Sequence, residues 1–173
     1  AKQARYVAEI GLHHVITLLQ QQGNYLLNIR QNGEFMMIKS DGTVEYYSRD
    51  NAGLEKKQRS IKLPVFRAFA DGPAALGLTQ NRVPSYEIRV DGITDGPTPP
   101  GQELSQSDLG TPRQSFCLVH FNARGYIAES TLPETQRDQM DEETWRASLE
   151  LLAEHRLKAG IIIGPFLIPG CEM

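Results

Sequence analysis

Residues 24–50 show the clearest alternation of apolar and polar positions in the chain. Three short runs of aromatic and aliphatic residues are separated by Asn-Gly at positions 32–33 and by Ser-Asp-Gly at positions 40–42. Asn-Gly is a strong hairpin signal, because both central residues of a type I′ turn need a positive φ. The pattern predicts a three-stranded β-meander over about residues 24–48.

The second turn of this meander sets which side chains face the core. A two-residue loop would place Glu45 on the same face as Ile38, whereas a three-residue loop with a glycine bulge places Val44 beside Ile38. A slip of one residue turns every side chain of a strand to the other face, so burial decides between the two registers. We therefore predict the bulged three-residue loop, with Tyr46 beside Met36.

An amphipathic helix is predicted before the meander. Residues 2–22 carry apolar side chains at helical spacing, and Gly23 is placed as a C-terminal stop. The helix leads directly into the predicted first strand, whose core side would carry Tyr25, Leu27 and Ile29. We expect the apolar stripe of the helix to cover that side of the meander.

A second helix is predicted over residues 141–158. Asp141 is suited to the N-cap, Trp145 begins an apolar stripe at helical spacing, and Gly160 follows the last turn. Acidic residues in the first turn and basic residues in the last turn complement the helix dipole. The sequence therefore places a helix near the C-terminal end of the chain.

Four further strands are predicted outside the meander. One of them, residues 126–128, is expected to return beside residues 115–121 after a type I turn at residues 122–125. Residues 84–90 alternate between apolar and polar, and residues 115–121 are largely apolar on both faces, which is typical of a central strand. Residues 161–168 are apolar but interrupted by Gly164 and Pro165. Proline cannot donate to a β-ladder, so we expect a bulge or an edge position there.

The order of these elements favours an α+β fold with a largely antiparallel sheet, built on the meander and packed by an N-terminal and a C-terminal helix. The length of 173 residues fits a single domain over residues 1–173. Residues 92–113 are rich in Pro, Gly, Ser and Thr and lack any period, so we predict a long polar loop. Compact domains seldom carry such loops unless they are functional.

The composition of the chain excludes some classes of protein. Hydrophobic residues make up 40% and charged residues 23% of the chain, and the net charge of −3 argues against a dominant nucleic-acid or membrane surface. The chain contains no apolar run long enough to span a bilayer. We predict a soluble, cytoplasmic protein that binds no cofactor and no metal, because phosphate-loop, dinucleotide and nucleophile-elbow signatures are absent.

Cysteine and histidine offer the candidate catalytic groups. Cys117 and His120 point to opposite faces of a strand, so Cys117 would need a histidine from elsewhere to act as a nucleophile. A cysteine in an apolar strand is more often a core residue, and a pairing of Cys117 with Cys171 is geometrically open. His13 and His14 diverge by about 100° on a helix, so they do not form a metal-binding pair.

Residues 49–67 form a locally basic segment with aromatic residues at its margins. Such a segment is typical of surfaces that bind nucleic acid or an acidic protein, whereas a solvated loop is the structural alternative. Because the whole chain is acidic, a protein partner is favoured over nucleic acid. The candidate binding residues are Arg49, Lys56, Lys57, Arg59, Lys62 and Arg67.

These observations predict a non-catalytic binding, regulatory or assembly module of a larger protein or complex. Its contacts would involve the basic segment at residues 49–67 and the loop at residues 92–113, because surface loops carry function more often than the elements they connect. Two alternatives stay open. One is an enzyme, either a cysteine-dependent hydrolase or transferase using Cys117 or a nuclease built on scattered acids; the other is nucleic-acid binding through the basic segment.

Overall fold

The computed structural model describes residues 2–31, 33–64, 66, 78, 82–97, 99–101, 115–167 and 171. The chain forms an α+β fold, as predicted, in which one six-stranded sheet has the strand order β3-β2-β1-β4-β5-β6. Every neighbouring pair of strands is antiparallel. The elements are α1 (Lys2–Asn28), β1 (Phe35–Lys39), β2 (Thr43–Arg49), β3 (Glu55–Lys62), β4 (Arg82–Asp95), β5 (Ser115–Ser130), a 3-10 helix (Glu134–Gln139), α2 (Glu142–Ala147) and β6 (Leu149–Phe166).

Helix α1 lies across one face of the sheet, and glycines allow its close approach. A Cβ atom at Gly125 of β5 would lie 2.3 Å from backbone atoms of Ala4 and Ala8. A Cβ atom at Gly11 would lie 2.5 Å from the ring of Tyr86. Both distances are far below van der Waals contact, so a side chain at either position would push the helix away from the sheet. We call this side of the sheet the covered face.

The hydrophobic core fills the space between α1 and the covered face. Burial of one large apolar side chain stabilises a fold by about 1.5–3 kcal/mol relative to leaving it in water. Tyr46 also donates a hydrogen bond from its hydroxyl to the carbonyl oxygen of Leu26 in α1, at 3.1 Å. The largest fully buried residues are Tyr46, Tyr86, Phe121, Phe166, Leu19, Leu26, Leu27, Met36, Ile38, Ile88, Ile127 and Ile163.

The predicted first strand of the meander is wrong, because α1 continues through Gly23 and the residues that follow it. The helix bends at Gln22, whose φ of −127° and ψ of 15° are not helical. Beyond the bend Leu26 and Leu27 are fully buried while Tyr25 is exposed, which is a helical burial pattern and not a strand alternation. The three-stranded meander consists of β1, β2 and β3.

The register predicted for the second turn is confirmed. Ile38 pairs with Val44 and Met36 pairs with Tyr46, and all four side chains are fully buried. Gly42 has a φ of +88°, as the bulged loop requires, and its amide donates to the carbonyl oxygen of residue 39 at 3.0 Å. Burial of one face therefore fixed the pairing of the two strands.

The predicted C-terminal helix is correct only in its first turns. Asp141 is the N-cap of α2, and its Oδ1 accepts a hydrogen bond from the amide of Thr144 at 2.7 Å. After six residues the helix ends, and the chain continues as β6, which pairs with β5 along most of its length. The long ladder with β5 outweighs the local helical pattern, because each residue of the ladder gains an interstrand partner. Strand β6 is an edge strand, so Pro165 lies at the predicted edge position.

The remaining strands are present with longer bounds, but the predicted turn at residues 122–125 is wrong, because residues 115–121 and 126–128 belong to one continuous strand. Residues 84–90 lie within β4, and residues 115–121 begin β5, which has a partner strand on each side. Strand β4 continues to Asp95, so the predicted polar loop at residues 92–113 begins later than expected. Most of that loop, residues 102–113, lies outside the described part of the chain.

Candidate functional site

The face of the sheet opposite α1 carries a continuous pattern of charged side chains, and we call it the open face. Registered pairing places Arg89 beside Asn122 and Asn122 beside Lys158, across three adjacent strands. The alternation of each strand turns polar residues to this side and apolar residues to the covered face. Helix α2 borders the open face at one end, where Trp145 lines a cavity with Tyr126.

The centre of the open face is a chain of ion pairs across β4, β5 and β6. Arg124 on the middle strand contacts Glu87 Oε2 at 3.5 Å and Glu154 Oε2 at 3.0 Å. Arg156 Nε lies 2.5 Å from Glu154 Oε1. Hydrogen bonds from Arg124 and Arg156 hold the pKa of the Glu154 carboxyl below its usual value. The Nε atom of Arg124 is buried and meets no acceptor among the described residues.

A second cluster lies beside it, on β1, β2, β3 and β4. The Arg89 guanidinium contacts Glu55 Oε1 at 2.7 Å and Asp91, and its central carbon lies 3.9 Å from the ring centroid of Phe35. Phe35 in turn stacks on Tyr47, with ring centroids 5.2 Å apart and planes 8° from parallel. The ring of Phe35 is therefore occupied by an aromatic and a cationic neighbour.

These clusters line a concave region of about 720 Å³ on the open face, which we call the central concavity. Five of its lining side chains are cationic and two are carboxylates. Glu55 and Glu154, which pair with Arg89 and Arg124, add two further negative charges, so the clusters together keep an excess of one positive charge. The whole chain has the opposite sign, with a net charge of −3. The cations are Arg49, Arg89, Arg124, Arg156 and Lys158, and the carboxylates are Glu87 and Asp91.

The predicted basic segment contributes only partly to this surface. Arg49, Lys57 and Lys62 lie on the open face by strand alternation, and Arg49 lines the central concavity. Lys57 pairs with Glu45 at 3.3 Å and Lys62 with an aspartate of the β1–β2 turn at 3.7 Å. Lys56 lies on the opposite side of the strand. Arg67 lies outside the described residues.

Arg59 is bonded to other residues of the fold. Its guanidinium donates to both carboxylate oxygens of Glu34 at 3.1 Å and to the carbonyl oxygen of Ile29. It also lies 4.5 Å from the ring centroid of Tyr46 on the covered face. Arg59 therefore ties the connection between α1 and β1 to the edge of the sheet.

Cys117 forms a disulfide with Cys171, which is the pairing that the sequence left open. Both residues are fully buried, and the chain has no free cysteine. A disulfide sulfur has no thiolate to attack a substrate, so the structure offers no nucleophile for the cysteine-dependent alternative. His120 is exposed on the open face, three residues away, and points to the opposite side of β5 as predicted.

The histidine pair on α1 also has a structural role. His14 Nδ1 lies 3.3 Å from the Tyr86 hydroxyl, at the contact between α1 and the sheet, whereas His13 is exposed. Burial lowers the pKa of His14, and the neighbouring His13 lowers it further. No group of three or more histidine, cysteine, aspartate or glutamate side chains in the described part of the chain is placed to hold a metal ion.

The sequence-based interpretation missed most of the open face. Arg89 stands at a polar position of a predicted strand, Arg124 falls in the turn predicted at residues 122–125, and Arg156 falls in the last turn of the predicted C-terminal helix. The available signal was the recurrence of charged residues two positions apart, at 87 and 89 and again at 154, 156 and 158. Their convergence depends on the pairing of three distant strands, which no local pattern shows.

No helix in the described part of the chain is both long enough and apolar enough to cross a membrane. No protein-family model matches the sequence, and no significant match was found among curated proteins or solved structures.

Proposed function

We propose that this chain is a non-catalytic binding module of a larger protein or complex, and that its open face binds an acidic segment of a protein partner. The observation that carries this proposal is the convergence of four arginines and a lysine on the central concavity of an acidic chain, where they outnumber the carboxylates that pair with them. Guanidinium groups match carboxylates in geometry and charge, so clustered arginines favour acidic partners.

The ion pairs already present on the open face do not prevent such binding. The side chains of Arg124 and Glu154 are 27% and 28% exposed, and pairs in such partly solvated positions are worth about 0–1 kcal/mol. Carboxylates of a partner can therefore replace or join the internal ones at little cost.

A protein partner is favoured over nucleic acid by the state of the aromatic rings. Nucleic-acid surfaces of this kind use exposed ring faces on which bases stack. Phe35 is 4% exposed beneath Tyr47 and Arg89, and the guanidinium of Arg124 lies 4.5 Å from the ring centroid of Tyr126. Arginine guanidinium groups lie over the rings of Phe35 and Tyr126, so these rings are not free for bases to stack on.

The test is the binding of fluorescein-labelled octaglutamate, measured by fluorescence anisotropy at low salt. We expect the double variant Arg124→Gln/Arg156→Gln to bind about ten-fold more weakly than the parent chain, because two charge-assisted contacts are lost. The matched control is Lys2→Gln/Arg5→Gln, which removes the same charge from the outer surface of α1 and should leave the affinity within about two-fold.

Two results would contradict the proposal. Equal losses in the two double variants would show that only overall charge matters. Tighter binding of a labelled oligonucleotide than of octaglutamate, with a steep dependence on salt, would favour the nucleic-acid alternative.

The disulfide indicates the kind of cellular compartment in which the chain functions. Composition predicts a cytoplasmic protein, but disulfides persist mainly in oxidising compartments and are rare in the cytosol. We therefore propose an oxidising compartment as the place of function. The protein is quenched with acid in its source and alkylated after denaturation, so that any buried thiol is accessible. Cys117 and Cys171 should stay unlabelled, whereas labelling of both would support the cytoplasm.

A further inference from the structure

The connection between α1 and β1 contains a buried arginine whose hydrogen-bonding capacity is not filled. Arg30 is only 8% exposed. Its Nη2 donates to the backbone carbonyl oxygen of Glu34. Its Nε and Nη1 are buried and have no hydrogen-bond partner among the residues that the structure describes. Guanidinium groups carry five N–H donors and remain charged in proteins, so buried donors without an acceptor are unfavourable.

The nearby carboxylates are engaged elsewhere. Glu34 gives both of its oxygens to Arg59 at 3.1 Å, and one of them also accepts from the amide of Gln31 at 3.1 Å. Asp91 is paired with Arg89. Neither carboxylate accepts a hydrogen bond from the Nε or Nη1 of Arg30. Burial lowers the pKa of Arg30 and the nearby Glu34 carboxylate raises it, so Arg30 shares the charge of Glu34 with Arg59.

Arg30 lines a cavity of about 360 Å³ at the end of the sheet. Arg49 and Asp91 line both this cavity and the central concavity, so the two are adjacent on one surface. The backbone of Gly33 and the exposed Thr94 form part of its rim. A ligand that lies along the open face can thus reach this cavity without any movement of the strands, and the Arg30 side chain must turn to present its buried Nε and Nη1 to it.

We propose that this cavity is a carboxylate pocket, in which the guanidinium of Arg30 anchors one acidic side chain of the bound segment. This inference rests on the proposed function and deepens it, because it names the residue that fixes the position of the partner. Arg49, whose side chain is 58% exposed, attracts the carboxylate at the entrance, and Arg30 supplies the buried donors.

The pocket is tested by nuclear magnetic resonance of the arginine Nε–Hε signals of the whole chain. Sodium acetate is the probe for a lone carboxylate, and sodium chloride at the same ionic strength is the reference. We expect the Arg30 signal to shift saturably with acetate and not with chloride. An Arg30 signal that moves equally in both salts, or in neither, would overturn the pocket.

A second test uses variants at exposed positions, where a substitution does not disturb the hydrophobic core. Thr94→Glu places a carboxylate at the rim, where it competes with acetate, and should weaken acetate binding by about ten-fold. Thr17→Glu introduces the same change at an exposed position of α1 and should leave acetate binding unchanged. Equal acetate affinity in these two variants would also overturn the pocket.

Octaglutamate separates this inference from the proposed function. If acetate shifts the Arg30 signal but octaglutamate does not bind, the pocket stands as a site for small carboxylates and the proposed function fails. If octaglutamate binds the parent chain and leaves the Arg30 signal unmoved, the proposed function stands and the pocket fails. Saturable shifts of Arg30 by both probes support both proposals.

Discussion

The two faces of the six-stranded sheet carry different kinds of side chain and different kinds of contact. On the covered face, large apolar side chains meet α1 so closely that Gly125 has no space for a methyl group. On the open face, charged side chains such as Arg124 and Glu154 pair with one another while partly exposed to water. Close packing tolerates little change, whereas exposed ion pairs exchange partners at little cost. The comparison indicates that stability resides mainly on the covered face, and the open face is the one that we propose for binding.

The largest expected effect comes from the disulfide, which begins on the covered face at Cys117. The double variant Cys117→Ala/Cys171→Ala opens a link across 54 residues and should lower the free energy of unfolding by about 4 kcal/mol, because the unfolded chain gains freedom. Urea unfolding measures this loss. Reducing agent should lower the stability of the parent chain equally and leave the variant unchanged; a parent chain insensitive to reduction would contradict the prediction.

The close approach of α1 gives the next largest effect. Gly125→Ala would bring a Cβ atom against the backbone of Ala4 and Ala8, and it should lower the free energy of unfolding by about 2–3 kcal/mol. Gly160→Ala is the matched control on the adjacent strand, where the nearest atom to a Cβ lies at an ordinary 3.5 Å. Urea unfolding of both variants checks the difference. Equal stability of the two would show that α1 does not hold this position.

Alkaline pH should weaken the covered face through Tyr46. Burial raises the pKa of Tyr46 to about 12, from 10.0 in the unfolded chain. The folded state therefore holds this proton more tightly, so the stabilisation is complete below pH 10 and is lost as the pH rises from 10 to about 12. Urea unfolding across this range should show the decline.

The variant Tyr46→Phe isolates that contribution. At neutral pH it should lose about 1 kcal/mol, because the hydroxyl no longer donates to Leu26. Above pH 10 its stability should fall less steeply than that of the parent chain, since Phe cannot ionise. A parallel decline of the two proteins would assign the alkaline loss to other groups.

The smallest effect on stability is expected on the open face. The variant Arg124→Gln/Arg156→Gln should change the free energy of unfolding by less than about 1 kcal/mol, because its ion pairs are partly solvated. Differential scanning calorimetry beside Gly125→Ala measures the contrast between the faces. A loss as large as that of Gly125→Ala would mean that the open face is part of the stabilising structure.

The fold was predictable where the signal was local. The pairing of Val44 with Ile38 followed from turn length and burial, and the N-cap at Asp141 followed from residue type and its neighbours. The end of α1 was not predictable, because Leu26 and Leu27 fit a strand as well as a helix. Strand β6 was mistaken for a helix for the same reason: its leucines fit a helical stripe, and only pairing with β5 selects the extended form.

The candidate site was less predictable than the fold. Arg49, Arg89, Arg124 and Arg156 come from four strands spread over more than half of the chain, and they meet only through the registered sheet. The predicted basic segment contains Arg49, but its other charges are divided between the two sides of β3. The density of charge along the sequence therefore identified Arg49, but it did not show which other residues complete the surface.

Arginine footprinting tests the division between the faces most directly. Phenylglyoxal modification of the whole chain, with and without saturating octaglutamate, is read for each arginine by mass spectrometry. We expect octaglutamate to protect Arg124 and Arg156 on the open face and to leave Arg5 on the outer surface of α1 as reactive as before. Protection of Arg5, or unchanged reactivity of Arg124 and Arg156 while octaglutamate is bound, would contradict it.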